Sequence, residues 1–375
     1  MRVLILNHEY PPIGGGGGQA AQDIAIELAR RGHEITILTA HLKGLPLDEV
    51  VDNIHILRLP SLRRRPYQAG FLAMGIYILA AIKAGFHLIQ RWHPDIIHVH
   101  FAVPAGAAAW ILAKFTGIPY VLTAHLGDIP GGVPEKTGKW FRWVFPFTKP
   151  IWQGAARIVT VSNYTCWLIR KHYAVDPVVI PNGINMERVN PECLVVHHPP
   201  VVIFAGRFMP QKNLIELVEM LALVQDLEWK CIMLGDGPLV EEVKRTITSH
   251  GLDKRFYLPG WVTTQEVLDY LAQSDLLFMP SLSEGLSVVG LQALGMGLAI
   301  VASRAGGNVD LVKPGYNGFL ADPRDKEALS SALRSLLSNH KALQNARQAS
   351  HDLAPRFDIR TVVDAYETIF QEIVS

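Results

Sequence analysis

Short apolar runs and amphipathic stretches alternate along almost this entire chain, and the alternation occurs twice with a break between. In the first half, residues 2–7, 34–39, 54–59, 95–99, 120–123, 157–161 and 178–180 read as buried strands, and 19–31, 71–89, 105–115 and 164–172 as helices. Residues 181–200 interrupt the rhythm with Pro181, Asn182-Gly183, Pro191, Pro199 and Pro200. Strands resume at 201–205, 230–234, 256–258, 276–279 and 299–302, with helices at 214–223, 239–249, 265–272, 287–295, 326–338 and 362–373. Such alternation builds a parallel sheet covered by helices on both faces. The expected fold class is α/β: two Rossmann-like, doubly wound parallel-sheet domains facing each other across a cleft. The expected boundaries are 1–183 for the first domain, 184–200 for a hinge, 201–355 for the second domain, and 356–375 for a C-terminal helix that returns to the first. At 375 residues the chain is too long for one core.

Net charge is +1, which gives no pointer to nucleic acid. The halves differ: residues 1–183 hold 18 Lys/Arg against 11 Asp/Glu, and residues 184–375 hold 17 against 23. A basic half joined to an acidic one is expected to meet something anionic through its basic side. Arg58, Arg63, Arg64 and Arg65 precede the apolar stretch 71–89. Its longest uncharged run, 66–82, is 17 residues, at the bottom of the range for a membrane span, and Lys83 and His87 follow inside it. The stretch is expected to be a core-packed helix behind a solvated basic loop, with an anionic membrane surface as the sharper alternative. Cys166, Cys193 and Cys231 are far apart and read as thiols of a reducing compartment. The opening run Val3-Leu4-Ile5-Leu6 is too short for a signal-peptide core. A cytoplasmic location, peripheral to the inner membrane face, is the expectation.

Gly14 to Gly18 lie between the first strand and the first helix. Backbone N–H groups at a helix start bind anions. A dinucleotide fingerprint needs a tight turn and a later acidic residue. This turn is long, carries Pro11 and Pro12, and the second strand ends Leu38-Thr39-Ala40-His41. Anion binding is kept and a dehydrogenase reading dropped.

The second half carries four strand-end features. Arg207 and Lys212, in Gly206-Arg207-Phe208-Met209-Pro210-Gln211-Lys212, close a strand and open a helix. Fixed cations there stabilise a diphosphate that gains charge as it leaves. Gly235-Asp236-Gly237-Pro238 is a turn that lets backbone approach a ligand. Ser281-Leu282-Ser283-Glu284-Gly285-Leu286-Ser287 sets a carboxylate beside a helix start, where Glu284 either caps the helix or accepts sugar hydroxyls. Ala302-Ser303-Arg304-Ala305-Gly306-Gly307-Asn308 is a glycine turn of structural character. In the first half, His125 ends a strand and is a candidate to polarise or bind a sugar hydroxyl. His98 reads as buried structure, and His100 stays undecided between structure and site. No Asp-x-Asp occurs, so no metal cofactor is expected. The segment Lys139-Trp140-Phe141-Arg142-Trp143-Val144-Phe145 reads equally as pocket, lipid contact or interior, and Trp261 as a base-stacking or core residue.

With these residues in view, the chain resembles the GT-B glycosyltransferases of family 4 (retaining, group 1) almost end to end. The likeness rests on Pro11-Pro12 with Gly15-Gly16, on Gly32-His33-Glu34, on Pro94-Asp95-Ile96-Ile97-His98-Val99-His100, and on Pro181-Asn182-Gly183-Ile184. His125 matches the family's cleft histidine, Arg207 and Lys212 its diphosphate-binding pair, and Gly235 and Gly237 a turn near the nucleotide. Glu284 matches the first of two glutamates eight residues apart and contacts the donor sugar. The second position is Gln292, where the family uses a carboxylate for the ribose hydroxyls. An amide offers one acceptor and a donor there, so weaker ribose binding is expected, by about 1 kcal/mol. The resemblance implies an acceptor-side first domain and a nucleotide-sugar second domain. It further implies catalytic roles for His125, Glu284, Arg207 and Lys212, and donor contacts from Gly15, Gly16, Arg207, Lys212, Gly235, Gly237, Gly285, Leu286, Ser287 and Gln292. The implied activity is a metal-independent, retaining, hexosyltransferase-type transfer from a nucleotide-diphosphate-sugar to an acceptor hydroxyl, on a lipid-linked or polysaccharide-precursor acceptor. The rivals are a nucleotide-sugar 2-epimerase and a non-catalytic nucleotide-sugar binding protein.

Overall fold

The computed structural model of the chain describes residues 1–66, 69–133, 141–189, 191 and 194–375, with the backbone alone at 141–144. It divides into two compact units, Met1–Gly183 with Ile359–Ser375, and Ile184–Asp358.

Among the described residues the first unit holds eight strands: β1 (Arg2–Leu6), β2 (Glu34–Leu42), β3 (Asp48–Val51), β4 (Ile54–Arg63), β5 (Ile96–His100), β6 (Tyr120–Ala124), β7 (Arg157–Thr160) and β8 (Val178–Val179). They form one sheet in the order β3-β4-β2-β1-β5-β6-β7-β8, parallel except for the β3–β4 pair. Successive side chains of a strand point to opposite faces, and β1 shows the consequence. Leu4 and Leu6 enter a core under helices Phe71–Trp92 and Ala107–Thr116. Val3 and Ile5 enter a second core against helices Gly16–Arg30 and Ile359–Val374. The last of these helices joins the unit through Val362, Val363, Tyr366 and Phe370. Arg31 ties it down by donating to Asp364 at 2.6 Å, Glu367 at 2.5 Å and the carbonyl of Arg360 at 2.8 Å.

The second unit has six parallel strands: β9 (Val201–Ala205), β10 (Lys230–Leu234), β11 (Phe256–Gly260), β12 (Leu276–Met279), β13 (Ala299–Ser303) and β14 (Gly318–Ala321). Their order is β11-β10-β9-β12-β13-β14. Phe204, Leu217, Leu221, Trp229, Phe278 and Leu333 centre its core. The expected α/β class with two parallel sheets therefore holds.

The described residues of 184–200, the segment expected as a hinge, fall in the second unit. Ile184 and Val189 abut Gly295, where an added Cβ would lie 2.4 Å from Val189 Cγ2. The N–H groups of His197 and Val201 donate to the buried carboxylate of Asp275, at 3.1 and 2.7 Å. The chain passes between the units at 183–184 and again at 358–359.

Strand β14 and the short helix Asn308–Leu311 escape the sequence reading, and so do three further elements. Strand β3 is reached through Asp52 and Asn53, both left-handed (φ 51° and 63°), a two-residue hairpin turn that these residue types tolerate. Helix Phe141–Gln153 carries Pro146 and Pro150, which count against a helix. Packing outweighs them: Trp152 is fully buried and stacks on Tyr173 at 4.3 Å. Helix His340–Leu353 is masked by its polar content. Lys139 and Trp140 of the aromatic-basic segment lie outside the described residues.

Candidate active site

In an open parallel sheet, ligands bind beyond the carboxyl ends of the strands where the strand order reverses. In the second unit that point lies between β9 and β12. The segments leaving these two strands meet there. Lys212 ends a three-residue turn, Pro210–Lys212, and Asn213 (φ 58°, ψ 43°) separates it from helix Leu214–Ala222. A cation close to a helix N-terminus is unfavourably placed and calls for an anion. Glu284 supplies one: its Oε1 takes Lys212 Nζ at 2.5 Å and the Ser281 hydroxyl at 2.8 Å. The carboxylate side chain is 7% exposed and the lysine 17%. Arg207 is half-buried, on the loop that leaves β9. Glu284 is not the helix cap. That role falls to Ser287, whose hydroxyl accepts from Gly290 N–H at 3.2 Å at the start of helix Val288–Gly295. Gly285 and Leu286 lead into this helix start, and Gln292 is buried within the helix.

The surrounding glycines hold the loops together. A Cβ on Gly306 would lie 1.8 Å from the Glu284 carbonyl oxygen, and one on Gly307 1.6 Å from that of Gly285. The turn thus braces the 284–285 backbone, and Gly307 N–H donates to Glu284 O at 3.0 Å. Gly235 and Gly237, expected at a ligand approach, pack closely on the loop that carries Arg207. A Cβ on Gly235 would lie 1.9 Å from Gly206 O, and one on Gly237 2.5 Å from Phe208 O. Their N–H groups are already bonded, Gly235 to Gly260 O at 2.8 Å and Gly237 to Asp236 Oδ1 at 2.7 Å. They thereby position the Arg207 loop.

In the first unit the order reverses between β1 and β5. The helix expected at residue 19 begins at Gly16, inside the glycine run, with Gly15 as N-cap and no side-chain cap. Glycine is the poorest helix former after proline, about 1 kcal/mol worse than alanine. Space explains its use: a Cβ on Gly17 would lie 2.4 Å from Phe101 Cζ, and one on Gly18 2.0 Å from Glu9 O. Phe101 follows β5 with a left-handed backbone (φ 70°), a strained conformation for an aromatic residue and one that marks functional loops. Its ring packs against His8 at 5.4 Å and His125 at 4.7 Å. Phe101 therefore joins the glycine helix start to His125, a role no sequence signal gave away.

His125 follows β6 and is buried. His98 and His100 are fully buried beside it. Burial, and after it the neighbouring His125, pushes His98 down to about 3; burial, then His98 and His125, holds His100 well below its ordinary value. His98 Nε2 lies 2.8 Å from Thr123 Oγ1, which bonds Tyr366 OH at 3.0 Å. Among the described residues, no three His, Cys, Asp or Glu side chains converge as metal ligands.

The basic loop needs correction. Arg58 and Arg63 are strand residues with side chains 3% and 0% exposed. Arg58 pairs with Glu49 at 2.5 Å. Arg63 donates to His8 O at 3.2 Å and Pro66 O at 2.8 Å, and Pro66 O also accepts from Gly14 N–H at 2.7 Å. Arg63 is thus a clamp on the glycine loop, while Arg64 and Arg65 remain exposed. Trp261 is 38% exposed, so it does not fill core.

Residues 14–188 match the family model described as Glycosyltransferase Family 4, and residues 188–352 the model described as Glycosyl transferases group 1. An uncharacterized glycosyltransferase of Methanocaldococcus jannaschii is 24% identical over 100% of this chain and 99% of its own length. Sucrose-phosphate synthase from Thermosynechococcus elongatus superposes with a TM-score of 0.87 at 17% identity, covering 100% of this chain and 99% of that one. Anabaena HepE, solved in complex with UDP-glucose, gives a TM-score of 0.78 at 20% identity over 99% and 100%. These structures establish the fold as GT-B. Two consecutive family models that together run from residue 14 to 352, on two parallel-sheet domains, place the chain in glycosyltransferase family 4, the group 1 glycosyltransferases.

Proposed function

We propose that this glycosyltransferase moves a hexosyl group from a nucleotide-diphosphate-sugar to an acceptor hydroxyl, with retention and without a metal ion. The observation that carries the reading is the Lys212–Glu284 pair at the β9–β12 reversal, with Arg207 on the same β9 loop. Lys212 exchanges Glu284 for a phosphate oxygen when donor binds, which releases the carboxylate to accept sugar hydroxyls. Arg207 and Lys212 then stabilise the charge that grows on the departing diphosphate. The leaving phosphate takes the acceptor proton on the same face of the sugar, which retains the anomeric configuration. The amides of Gly285, Leu286 and Ser287 serve the phosphate at a helix start, and Gln292 the ribose. In the first unit, the amides of Gly15 and Gly16 serve an anionic group, and His125 the reacting sugar. Incubation with a panel of nucleotide-sugars, with and without EDTA, tests this. Free nucleoside diphosphate at a chelator-insensitive rate, with an acceptor product of retained configuration, is expected. An isomerised donor indicates the epimerase, and binding without turnover the non-catalytic protein. Gln292→Glu should lower the donor KM about fivefold, the equivalent of about 1 kcal/mol, the scale of one ordinary hydrogen bond.

The acceptor we propose is lipid-linked, reached at the cytoplasmic face of a membrane. Helix Phe71–Trp92 is long and apolar enough to span by length and composition. Yet Ala73, Tyr77, Ala81, Gly85 and Ile89 form a buried stripe on it, which favours a helix lying along a surface. Phe71, Leu72 and Leu79 are exposed on the helix and Leu62 on β4, and Arg64 and Arg65 follow Leu62 in sequence. Anionic vesicles should bind the protein more tightly than neutral ones, and salt should weaken the difference. Equal partition to both would refute the membrane reading.

A further inference from the structure

When Lys212 turns to a phosphate, Glu284 loses the stronger of its two partners. Lys212 Nζ and Ser281 Oγ both donate to one carboxylate oxygen, Oε1, at 2.5 and 2.8 Å. Among the described residues no hydrogen bond reaches Oε2. Once the lysine has left, the Ser281 hydroxyl is what still holds the carboxylate. The backbone around Glu284 does not depend on the lysine ammonium. Gln211 Nε2 donates to Ser283 O at 2.7 Å, Leu282 N–H to Gln211 O at 2.8 Å, and Gly307 N–H to Glu284 O at 3.0 Å. These bonds fix the main chain and leave the side chain undecided. A glutamate has several rotatable bonds, and ordering them at the moment of binding would weaken the grip on a substrate.

Ser281 is itself rigidly seated. It is fully buried just past the end of β12. Its carbonyl oxygen accepts from the hydroxyl of Ser303, the last residue of β13. The carbonyl and hydroxyl oxygens of Ser303 take Asn308 Nδ2 at 3.1 and 3.3 Å. Ser303 and Asn308 are also fully buried. A hydroxyl at such depth needs an acceptor, and an ionised carboxylate is the strongest kind. Three buried polar residues thus tie the end of β13 to the end of β12, with Glu284 at the tip, and a satisfied network of this sort is stiff. We propose that Ser281 is a positioning residue for the donor sugar: it keeps Oε1 as a pivot through the exchange and leaves Oε2 to accept sugar hydroxyls. Its effect on transfer rests on the proposed role of Glu284; its hold on the carboxylate does not.

The test uses the full chain with Ser281→Ala and Glu284→Ala, singly and together, and the nucleotide-sugar that turns over in the panel. Ser281→Ala should lower kcat/KM for that donor about tenfold, the low end for a hydrogen bond to a charged group. The inhibition constant of the matching nucleoside diphosphate, which lacks the sugar, should move less than about twofold. In the Glu284→Ala background the same change should cost less than about twofold, because Ser281 acts through the carboxylate. A further tenfold loss there, or an equal loss in nucleoside diphosphate binding, would overturn the positioning role. Melting of the second unit gives a readout free of activity. Ser281→Ala should lower it by about 3–6 °C in the native background and by less than about 1 °C in Glu284→Ala. Equal shifts in both backgrounds would refute the hold on the carboxylate. Unchanged kcat/KM in Glu284→Ala would instead remove Glu284 from the sugar, and the melting cycle would still decide the Ser281 contact.

Discussion

Replacing Lys212 and Glu284 singly and together tests the pair on which the donor site is built. At 2.5 Å, with an effective dielectric of about 20, the direct attraction is about 7 kcal/mol. Most of it offsets the desolvation of two largely buried charges. Glu284→Gln leaves a lysine 17% exposed beside a helix N-terminus, and Lys212→Met leaves a carboxylate 7% exposed whose other donor is Ser281. Each single change should therefore cost about 2–3 kcal/mol, below the roughly 3–5 kcal/mol for a fully buried pair because Lys212 reaches some water. The double variant loses both charges and should cost no more than either single one, a coupling of about 2 kcal/mol. For a unit of this size, calorimetry should show the transition of the second unit lowered by roughly 5–10 °C in each single variant. Additivity within about 0.5 kcal/mol would refute the interaction.

Three further outcomes follow from the same geometry. Arg207→Ala should reduce turnover at saturating donor by about 10²–10³, the scale for one preorganised electrostatic donor, and a loss under about threefold would contradict its role. Gly307→Ala should destabilise the second unit by more than about 2 kcal/mol, because its Cβ would lie 1.6 Å from Gly285 O; an unchanged melting temperature would show that the brace is not needed. His98 and His100 have folded pKa values below their unfolded ones, so the unfolded chain binds more protons in acid. Their contribution is complete above about pH 6.5 and is lost as pH falls toward 3. Melting of the first unit should drop between pH 7 and 5, and less steeply in His98→Leu. Identical slopes would count against the buried neutral imidazoles.

Much of this was legible in the chain itself, for physical reasons. Buried parallel strands are short apolar runs, so β1, β9, β10 and β12 stand out from their surroundings. Strand ends in such sheets are where ligands bind, which directed attention to Arg207, Lys212, Glu284 and His125. What one sequence leaves hidden is contact between distant segments. Nothing near Gly235 and Gly237 announces their close contacts with Gly206 and Phe208, nearly 30 residues away in the chain. Arg58 and Arg63 read as solvated because nothing local announces Glu49 or the carbonyls of His8 and Pro66. The β3 hairpin was within reach: Asp52 and Asn53, between Val51 and Ile54, are residue types that tolerate the two positive φ angles of a two-residue hairpin turn. The left-handed Phe101 was not, since its conformation comes from packing on Gly17, His8 and His125.

A crystal structure of the enzyme with an intact or hydrolysed nucleotide-sugar bears most directly on the donor site. Phosphate oxygens should lie within about 2.7–3.1 Å of Lys212 Nζ and the Arg207 guanidinium, with Glu284 released from Lys212 and turned to the sugar. A diphosphate bound elsewhere, with Lys212 still on Glu284, would contradict the account.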